Sequence, residues 1–125
     1  MTGEKILILE DDVRVADVYA QVLRKDGNEV TVCTKFDEAR RQLKETCPDA
    51  VLTDVRVGEY NGLQLALLFR TYSPHGRVVV ITGYDDTAIR KEVEHLDGEF
   101  ILKPINLSQL RGAFSQPASS HDLTR

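Results

Sequence analysis

The sequence predicts an α/β fold: a doubly wound, five-stranded parallel sheet with helices on both faces and the strand order 2-1-3-4-5. Two observations predict it. Five short apolar runs alternate along the chain with five helical patterns, the arrangement that builds a parallel sheet through right-handed crossovers. The runs are apolar at successive positions, as in strands buried on both faces. Of the two common doubly wound orders, 2-1-3-4-5 suits five strands in a chain of this length.

Five runs are assigned to strands because they are short, apolar and rich in β-branched residues, with turn or polar residues at their ends. The third opens after Pro48-Asp49 and ends in a single carboxylate, Asp54. The fourth and fifth also lead into polar residues, Thr82 and Lys103. In chain order, the runs cover 5–9, 30–33, 50–54, 77–82 and 100–102.

The first three helices follow from apolar residues at helical spacing and from their end signals. The first is expected over 13–26, where valines recur and a Gly-Asn pair stops it. Thr34 or a near neighbour can cap the second, and Pro48 closes it. The third begins near Leu63 and has leucines on more than one side, so part of it is expected to be buried more fully than its neighbours.

The last two helices are shorter. The fourth starts at an Asp-Asp-Thr sequence and is expected to reach about Leu96, where an Asp-Gly pair ends it. Asn106, with Gln109 three residues later, resembles a capping box that opens the fifth. The folded domain is expected over 1–114. Residues 115–125 turn to Ser, Pro, Ala and polar residues, so a disordered tail or the start of a linker is expected there.

The composition excludes several classes of protein. A formal net charge of −4, with basic residues spread along the chain, argues against a nucleic-acid-binding surface. No stretch approaches the roughly 20 apolar residues of a membrane span, and no basic segment leads into an apolar signal region. We therefore expect a cytoplasmic protein of one domain that contacts neither membrane nor nucleic acid directly.

The cysteines and histidines form no recognisable motif. Cys33 and Cys47 lack the CxxC spacing and are interpreted as structural residues. His75, His95 and His121 share neither helical nor metal-ligand spacing, so each is interpreted as a surface residue.

The polar residues that follow the strands are expected to converge at one edge of the sheet. In the order 2-1-3-4-5 the first and third strands are neighbours at the topological switch point, where ligands bind. Asp11 and Asp12, which follow the first strand, then meet Asp54, which ends the third. Thr82 and Lys103 join them from the other side.

Three carboxylates in one hollow need positive charge nearby. Two unit charges about 4 Å apart repel by roughly 4 kcal/mol at an effective dielectric of about 20. Lys103 supplies one positive charge, and a hard divalent cation such as Mg²⁺ suits an oxygen-only site. The alternative is that Asp11 and Asp12 only favour a helix N-terminus and that Asp54 caps a loop. Clustered like charges in a cleft favour the functional interpretation.

These groups are the parts that phosphoryl transfer requires. A metal ion and Lys103 favour the ionised carboxylate of Asp54 and make it an available nucleophile. The hydroxyl of Thr82 can bind an oxygen of the transferred group, although Thr82 taken alone is equally typical of a strand end.

The combination of Asp11-Asp12, Asp54, Thr82 and Lys103-Pro104 resembles the receiver domain of two-component response regulators, over roughly 5–114. The resemblance implies a flavodoxin-like fold and a phosphorylation-dependent signalling switch. Asp54 would accept a phosphoryl group from a sensor histidine kinase or a phosphotransfer protein. The domain would assist its own aspartyl phosphorylation and dephosphorylation without acting as an enzyme on a separate substrate.

The resemblance also implies roles for the neighbours of Asp54. Asp12 and Asp54 would coordinate Mg²⁺ directly, together with the backbone carbonyl of Arg56, while Asp11 would hold it mainly through water. Lys103 would pair with the phosphate.

A conformational change is implied as well. In the family, the hydroxyl residue, here Thr82, shifts toward the phosphate, and an aromatic residue at the position of Phe100 changes rotamer. Plain core packing of Phe100 is an equal alternative. The resulting movement of the fourth helix, fifth strand and fifth helix would alter a partner surface. The sequence leaves undecided whether a homodimer forms through that face.

Some positions depart from the family pattern. Val57-Gly58 stands where a Met-Pro-like pair is usual, which predicts a freer loop. Gly83 stands where a small residue, often Ala, is usual, which keeps access to Asp54 open. Arg56 and Tyr84 are expected to flank the pocket, and we hypothesise that their bulk slows attack of water on the acyl phosphate.

Other functions are weighed against the switch. A pseudo-receiver would recognise partners without phosphate, but every chemical position is present. A haloacid-dehalogenase-like phosphatase would need a second Asp where Arg56 stands, and flavin binding would want Gly, Ser and Thr in the acidic first loop. No DNA-binding or catalytic unit follows, so we expect either a single-domain regulator with a downstream protein partner or part of a chain with a C-terminal output domain.

Overall fold

The computed structural model describes residues 3–115, in which the predicted strands and helices alternate as expected. The element bounds are β1 Lys5–Leu9, α1 Val13–Lys25, β2 Glu29–Cys33, α2 Phe36–Thr46, β3 Ala50–Asp54, β4 Arg56–Val57, β5 Tyr60–Asn61, α3 Leu63–Tyr72, β6 Arg77–Thr82, α4 Thr87–His95, β7 Glu99–Leu102 and α5 Leu107–Ser115.

The main sheet is parallel and has the strand order β2-β1-β3-β6-β7. Counting only its own strands, this is the predicted order 2-1-3-4-5, so the fold class is confirmed. β3 lies at the centre between β1 and β6, with Thr53 opposite Leu9 on one side and Asp54 opposite Ile81 on the other. The antiparallel pair β4 and β5 forms a separate small hairpin, which the sequence pattern does not predict.

Each face of the sheet has its own hydrophobic core. Leu7 and Leu9 point into the core that includes residues of α2, α3 and α4, whereas Ile6 and Ile8 point into the core that includes residues of α1 and α5. This alternation is the period-two arrangement of a strand buried on both faces.

The start signals predicted for the last two helices are confirmed. Asn106 Oδ1 accepts from the N–H of Gln109 at 2.8 Å and Gln109 Oε1 accepts from the N–H of Asn106 at 3.2 Å, which is a capping box. Asp86 caps α4 by accepting from two backbone N–H groups. For α2, where Thr34 or a near neighbour was expected at the cap, the cap position falls on Lys35, whose side chain makes no capping hydrogen bond.

The remaining sequence predictions concern the surface and the termini. Cys33 is buried and Cys47 exposed, and neither forms a disulfide. His75 and His95 are exposed. His121 and residues 116–125 of the predicted tail lie outside the described residues. No helix within residues 3–115 is both long and apolar enough to span a membrane.

Candidate functional site

Asp54 and Lys103 form a close ion pair at the C-terminal edge of the sheet. Lys103 Nζ lies 2.6 Å from Asp54 Oδ2, although one residue ends β3 and the other follows β7. The second oxygen, Oδ1, accepts from the backbone N–H of Arg56 at 3.2 Å. The Asp54 side chain is 10% exposed, so the carboxylate is held firmly but is still reached from solvent.

Glu10 is a second acid at this site, which the sequence pattern did not identify. Its N–H extends the β1 ladder by donating to the carbonyl of Cys33 at 3.1 Å, and only 2% of the residue is exposed. Because side chains alternate along a strand, Glu10 lies on the same side as Ile8. That side brings Glu10 Oε1 to 3.5 Å from Lys103 Nζ.

The two acids and the lysine change one another's ionisation. Burial raises the pKa of Glu10 to about 7, and the negative charge of Asp54 adds to this, against the opposing effects of the Asp12 N–H and Lys103. Burial lowers the pKa of Lys103, but its hydrogen bond and ion pair with Asp54 and the charge of Glu10 outweigh this, so the pKa lies above its usual range. The site therefore has more negative charge than one lysine neutralises.

Asp12 is not placed as the sequence pattern predicts. Its Oδ1 accepts from the backbone N–H groups of Arg14 at 3.0 Å and Val15 at 3.4 Å, so Asp12 caps α1. Aspartate is a strongly preferred cap because it satisfies N–H groups that have no partner within the helix. The sequence signal for this was present, since a helix that begins at Val13 places Asp12 at the cap and leaves Glu10 and Asp11 for the site.

Asp11 faces the loop that follows Asp54. Its Oδ2 accepts from the backbone N–H of Gly58 at 3.0 Å. Gly58 lies in the turn between β4 and β5, so the segment expected to be a freer loop is a hairpin in contact with the acidic edge.

Thr82 is buried at the end of β6, beside the Asp54 strand. Its hydroxyl oxygen accepts from the backbone N–H of Tyr84 at 3.1 Å, and its carbonyl accepts from the N–H of Lys103 at 2.8 Å. The peptide bond between Lys103 and Pro104 is cis. Thr82 and Lys103 are thus joined through the backbone.

Arg56 and Tyr84 contact each other across the loops that follow Asp54 and Thr82. The Arg56 guanidinium carbon lies 4.3 Å from the centre of the Tyr84 ring, which is 53% exposed. Gly83, which stands between Thr82 and Tyr84 in the chain, is exposed. A Cβ atom there would meet nothing within 4 Å.

Phe100 on β7 is half-buried and packs against the core on the α4 face of the sheet. Arg90 of α4 covers its ring, with the guanidinium carbon 4.3 Å from the ring centre. Asp85 holds Arg90 in turn, at 2.7 Å from Asp85 Oδ1 to Arg90 Nε. The sequence pattern did not identify Arg90 as a partner of Phe100.

A family model for the response regulator receiver domain matches residues 6–115. The chain belongs to the response regulator receiver domain family. The receiver domain is similar to the transcriptional regulatory protein ZraR of Klebsiella oxytoca, with 26% identity over 121 residues that cover 93% of this chain and 27% of ZraR. It thus spans about a quarter of the length of such curated relatives.

Solved structures support the fold of the receiver domain. A CheY-like receiver domain protein from Methanospirillum hungatei JF-1 matches with a TM-score of 0.87 and 21% identity, covering 99% of this chain and 100% of that one. A response regulator from Burkholderia pseudomallei, described with a phosphorylated aspartic acid, calcium ion and citrate, matches with a TM-score of 0.82 and 23% identity, covering 97% of this chain and 72% of that one.

The oxygen groups at the edge of this receiver domain fit a hydrated Mg²⁺ ion. Within residues 3–115, no three His, Cys, Asp or Glu side chains already form a closed metal cluster. Mg²⁺ does not require one, because it usually keeps several waters and takes only one or two carboxylates. The carboxylates of Asp54 and Glu10 share one lysine, and burial together with the charge of Asp54 raises the pKa of Glu10, so an added cation is favoured here.

Proposed function

We propose that this receiver domain is a phosphorylation-dependent signalling switch in which Asp54 accepts a phosphoryl group from a phosphohistidine of a sensor histidine kinase or phosphotransfer protein. A carboxylate oxygen of Asp54 forms a bond to phosphorus while the bond from phosphorus to the imidazole nitrogen breaks, and the electron pair stays on that nitrogen. The observation that carries the proposal is the 2.6 Å contact between Asp54 and Lys103 at a solvent-reached strand end.

Lys103 and Thr82 act on the transferred group. The ammonium of Lys103 is already held at the carboxylate, so it offers fixed positive charge to the phosphoryl oxygens as negative charge builds there. The hydroxyl of Thr82 now accepts from the N–H of Tyr84. Its proton is free to donate to a phosphate oxygen once the side chain turns toward Asp54.

Asp11, Asp54 and the backbone carbonyl of Arg56 are the proposed ligands of Mg²⁺, with Glu10 acting through water. Asp12 is left out of this set because its carboxylate caps α1. The bound ion would neutralise charge on the phosphoryl oxygens. The regulator from Burkholderia pseudomallei is described with a phosphorylated aspartic acid and a calcium ion, which supports a divalent cation in the proposal for this domain.

The switch is proposed to run from Thr82 to Phe100 and from there to α4, β7 and α5. Thr82 and Phe100 lie on neighbouring strands, with Thr82 opposite Leu102 and Val80 opposite Phe100 in the register. A change at the end of β6 thus reaches the β7 aromatic within one strand pair. The surface of α4, β7 and α5 would meet a C-terminal output domain, a downstream protein or a second copy of the chain.

Incubation with Mg²⁺ and a small acyl-phosphate donor, followed by intact mass measurement, tests the proposal. We expect a mass gain of one phosphoryl group that is absent in Asp54→Asn. Asp17→Asn is a matched control, because Asp17 is an exposed acid on α1. No gain in the unaltered protein from small donors or from a cognate kinase would replace the switch by the second candidate, a phosphate-independent pseudo-receiver module.

A further inference from the structure

Thr53 is a fully buried polar residue, one position before Asp54. It is 0% exposed and lies opposite Leu9 of β1 in the sheet register. Because successive side chains of a strand point to opposite faces, Thr53 points away from the Asp54 carboxylate, to the face where Val51 packs with α2 and α3. A buried hydroxyl is costly unless it is hydrogen-bonded, so its partners indicate what the residue does.

The Thr53 hydroxyl bridges the end of β3 and the start of α3. Its Oγ1 donates to the carbonyl of Asp54 at 3.0 Å and to the carbonyl of Gly62 at 3.3 Å. A hydroxyl has a single proton, so the two carbonyls share it. The carbonyl of Gly62 also accepts from the N–H of Leu65 at 3.0 Å, in the first turn of α3. The hydroxyl therefore ties the strand that ends in Asp54 to the helix that follows the β4–β5 hairpin.

Gly62 lies directly against the same strand end. Its N–H donates to the carbonyl of Val55 at 2.6 Å. A Cβ atom at Gly62 would overlap the carbonyl oxygen of Asp54 and the hydroxyl of Thr53, so this close approach requires glycine. The β4–β5 hairpin is thus a loop whose two ends meet at Val55 and Gly62, and we call this meeting point the hairpin base.

The loop that leaves the hairpin base carries backbone groups to Asp54. The N–H of Arg56 donates to Asp54 Oδ1 at 3.2 Å, and the carbonyl of Arg56 is a proposed ligand of Mg²⁺. Arg56 directly follows Val55, whose N–H donates to the carbonyl of Ile81 at 3.0 Å. The position of the Arg56 backbone relative to the carboxylate therefore depends on a closed hairpin base.

We propose that Thr53 is a positioning residue, whose hydroxyl keeps the hairpin base closed and so holds the carbonyl of Arg56 where a divalent cation at Asp54 can bind it. This inference rests on the proposed function, in which Asp54 and the Arg56 carbonyl are ligands. Residues that orient metal ligands through hydrogen bonds typically contribute about 10- to 100-fold in metal affinity. Thr53 acts on one ligand through the backbone, which places its effect at the low end of that range.

Two substitutions at Thr53 separate the hydroxyl from the size of the side chain. Thr53→Val has nearly the same shape without the hydroxyl, whereas Thr53→Ser keeps the hydroxyl and loses a methyl group. We expect Thr53→Val to weaken Mg²⁺ binding about tenfold. Thr53→Ser should retain most of the affinity. The dissociation constant is measured by Mg²⁺ titration of amide chemical shifts, well below the melting temperature of each variant.

A buried residue far from the hairpin base provides the control for lost stability. Val30 is 8% exposed and lies on the edge strand β2, opposite Ile6 near the other end of the sheet. Val30→Ala should lower the melting temperature and leave Mg²⁺ affinity unchanged, because the cavity that it creates is remote from Asp54. Equal losses of Mg²⁺ affinity in Val30→Ala and Thr53→Val would overturn the inference, since stability alone would then be the cause.

Amide hydrogen exchange without metal reports the hairpin base directly. The Gly62 amide should exchange faster in Thr53→Val than in Thr53→Ser or the unaltered protein. Equal exchange in all three proteins, or unchanged Mg²⁺ affinity in Thr53→Val, contradicts the role of Thr53. If Asp54 is still phosphorylated with Mg²⁺ in that case, the proposed function stands and only this role falls. If the unaltered protein binds no Mg²⁺, the proposed metal site falls and the role of Thr53 falls with it.

Discussion

Lys103 Nζ lies 2.6 Å from Asp54 Oδ2, although 49 positions separate the two residues in the chain. The same ammonium lies 3.5 Å from Glu10 Oε1. One cation therefore serves two largely buried carboxylates, and burial, together with the charge of Asp54, raises the pKa of Glu10 to about 7. Stability is consequently linked through these three side chains to the proposed metal binding and the proposed phosphorylation.

Glu10→Gln should reduce the pH dependence of stability. The pKa of Glu10 rises from 4.5 to about 7 on folding, first because of burial and then because of Asp54. Between these values the folded state binds more protons than the unfolded state, so the free energy of unfolding falls as pH rises. We expect Glu10→Gln to raise it by on the order of 1–3 kcal/mol near pH 8 and to change it little near pH 4.5.

Urea unfolding without metal ions at both pH values measures this effect of Glu10→Gln. Asp17→Asn, an exposed acid on α1, is the control and should leave the pH dependence unchanged. An equal effect of Glu10→Gln at the two pH values would show that charge at Glu10 is not the cause.

Asp11→Ala should mainly weaken Mg²⁺ binding, whereas Asp12→Ala should mainly lower the free energy of unfolding. Asp12 caps α1 with two backbone contacts, so Asp12→Ala should lower the free energy of unfolding by about 1 kcal/mol and leave Mg²⁺ affinity nearly unchanged. Asp11→Ala should weaken Mg²⁺ binding strongly with a smaller effect on unfolding. Mg²⁺ titration and urea unfolding of both variants test this, and the reverse pattern would return Asp12 to the metal site.

Arg56→Ala and Tyr84→Ala should shorten the lifetime of the phosphorylated state. The two side chains contact each other over the loops beside Asp54, and we hypothesise that together they restrict the approach of water. We expect each substitution to speed phosphate loss several-fold, corresponding to about 1 kcal/mol in the barrier. Because they touch, the double variant should be less than additive.

The decay of the phosphorylated mass over time measures that lifetime. Tyr72→Ala and Arg40→Ala, both exposed on other helices, serve as controls. An unchanged lifetime in the Arg56 and Tyr84 double variant would refute the role of their bulk.

Arg90→Ala should loosen Phe100. Arg90 lies near the N-terminus of α4 and stacks on Phe100. The other end of α4 is held separately by Arg70, which donates from Nε to the carbonyl of Leu96 at 3.0 Å. Removing the stack should lower the free energy of unfolding by about 0.5–1 kcal/mol.

Loss of Arg90 should also favour the phosphorylated conformation, because Phe100 no longer has to leave that cation when it moves. The ring signals of Phe100, followed by NMR as phosphate is added, report both effects. Lys91→Ala, an exposed cation on the same helix, is the control. Identical ring signals in Arg90→Ala and the unaltered protein would count against the contact.

The strand ends were predictable because they depend on local patterns. The apolar run before Asp54 predicts a central strand, and the spacing of the other runs predicts an order in which Asp54 and Lys103 share an edge. The capping box at Asn106 and Gln109 was predictable for the same reason, since it involves residues three positions apart. The structure contains both features.

The first strand lies where it was predicted, but the acids expected to face Lys103 were taken one residue too late in the chain. Successive side chains of a strand point to opposite faces, so a one-residue offset moves a side chain to the other side. The ladder contact of the Glu10 N–H with Cys33 continues the strand past Leu9, and this decides that Glu10 turns inward. Asp12 is then left at the start of α1.

By itself, the sequence determined the alternation of strands and helices, the sheet order, and the meeting of Asp54 with Lys103, because hydrophobic periodicity and turn chemistry act over a few neighbouring residues. Only the tertiary structure decided that Glu10 is buried beside Lys103, that Gly58 donates to Asp11, and that Arg90 covers Phe100. Those contacts join residues distant in the chain, and each depends on where a strand stops and which way its last side chain turns.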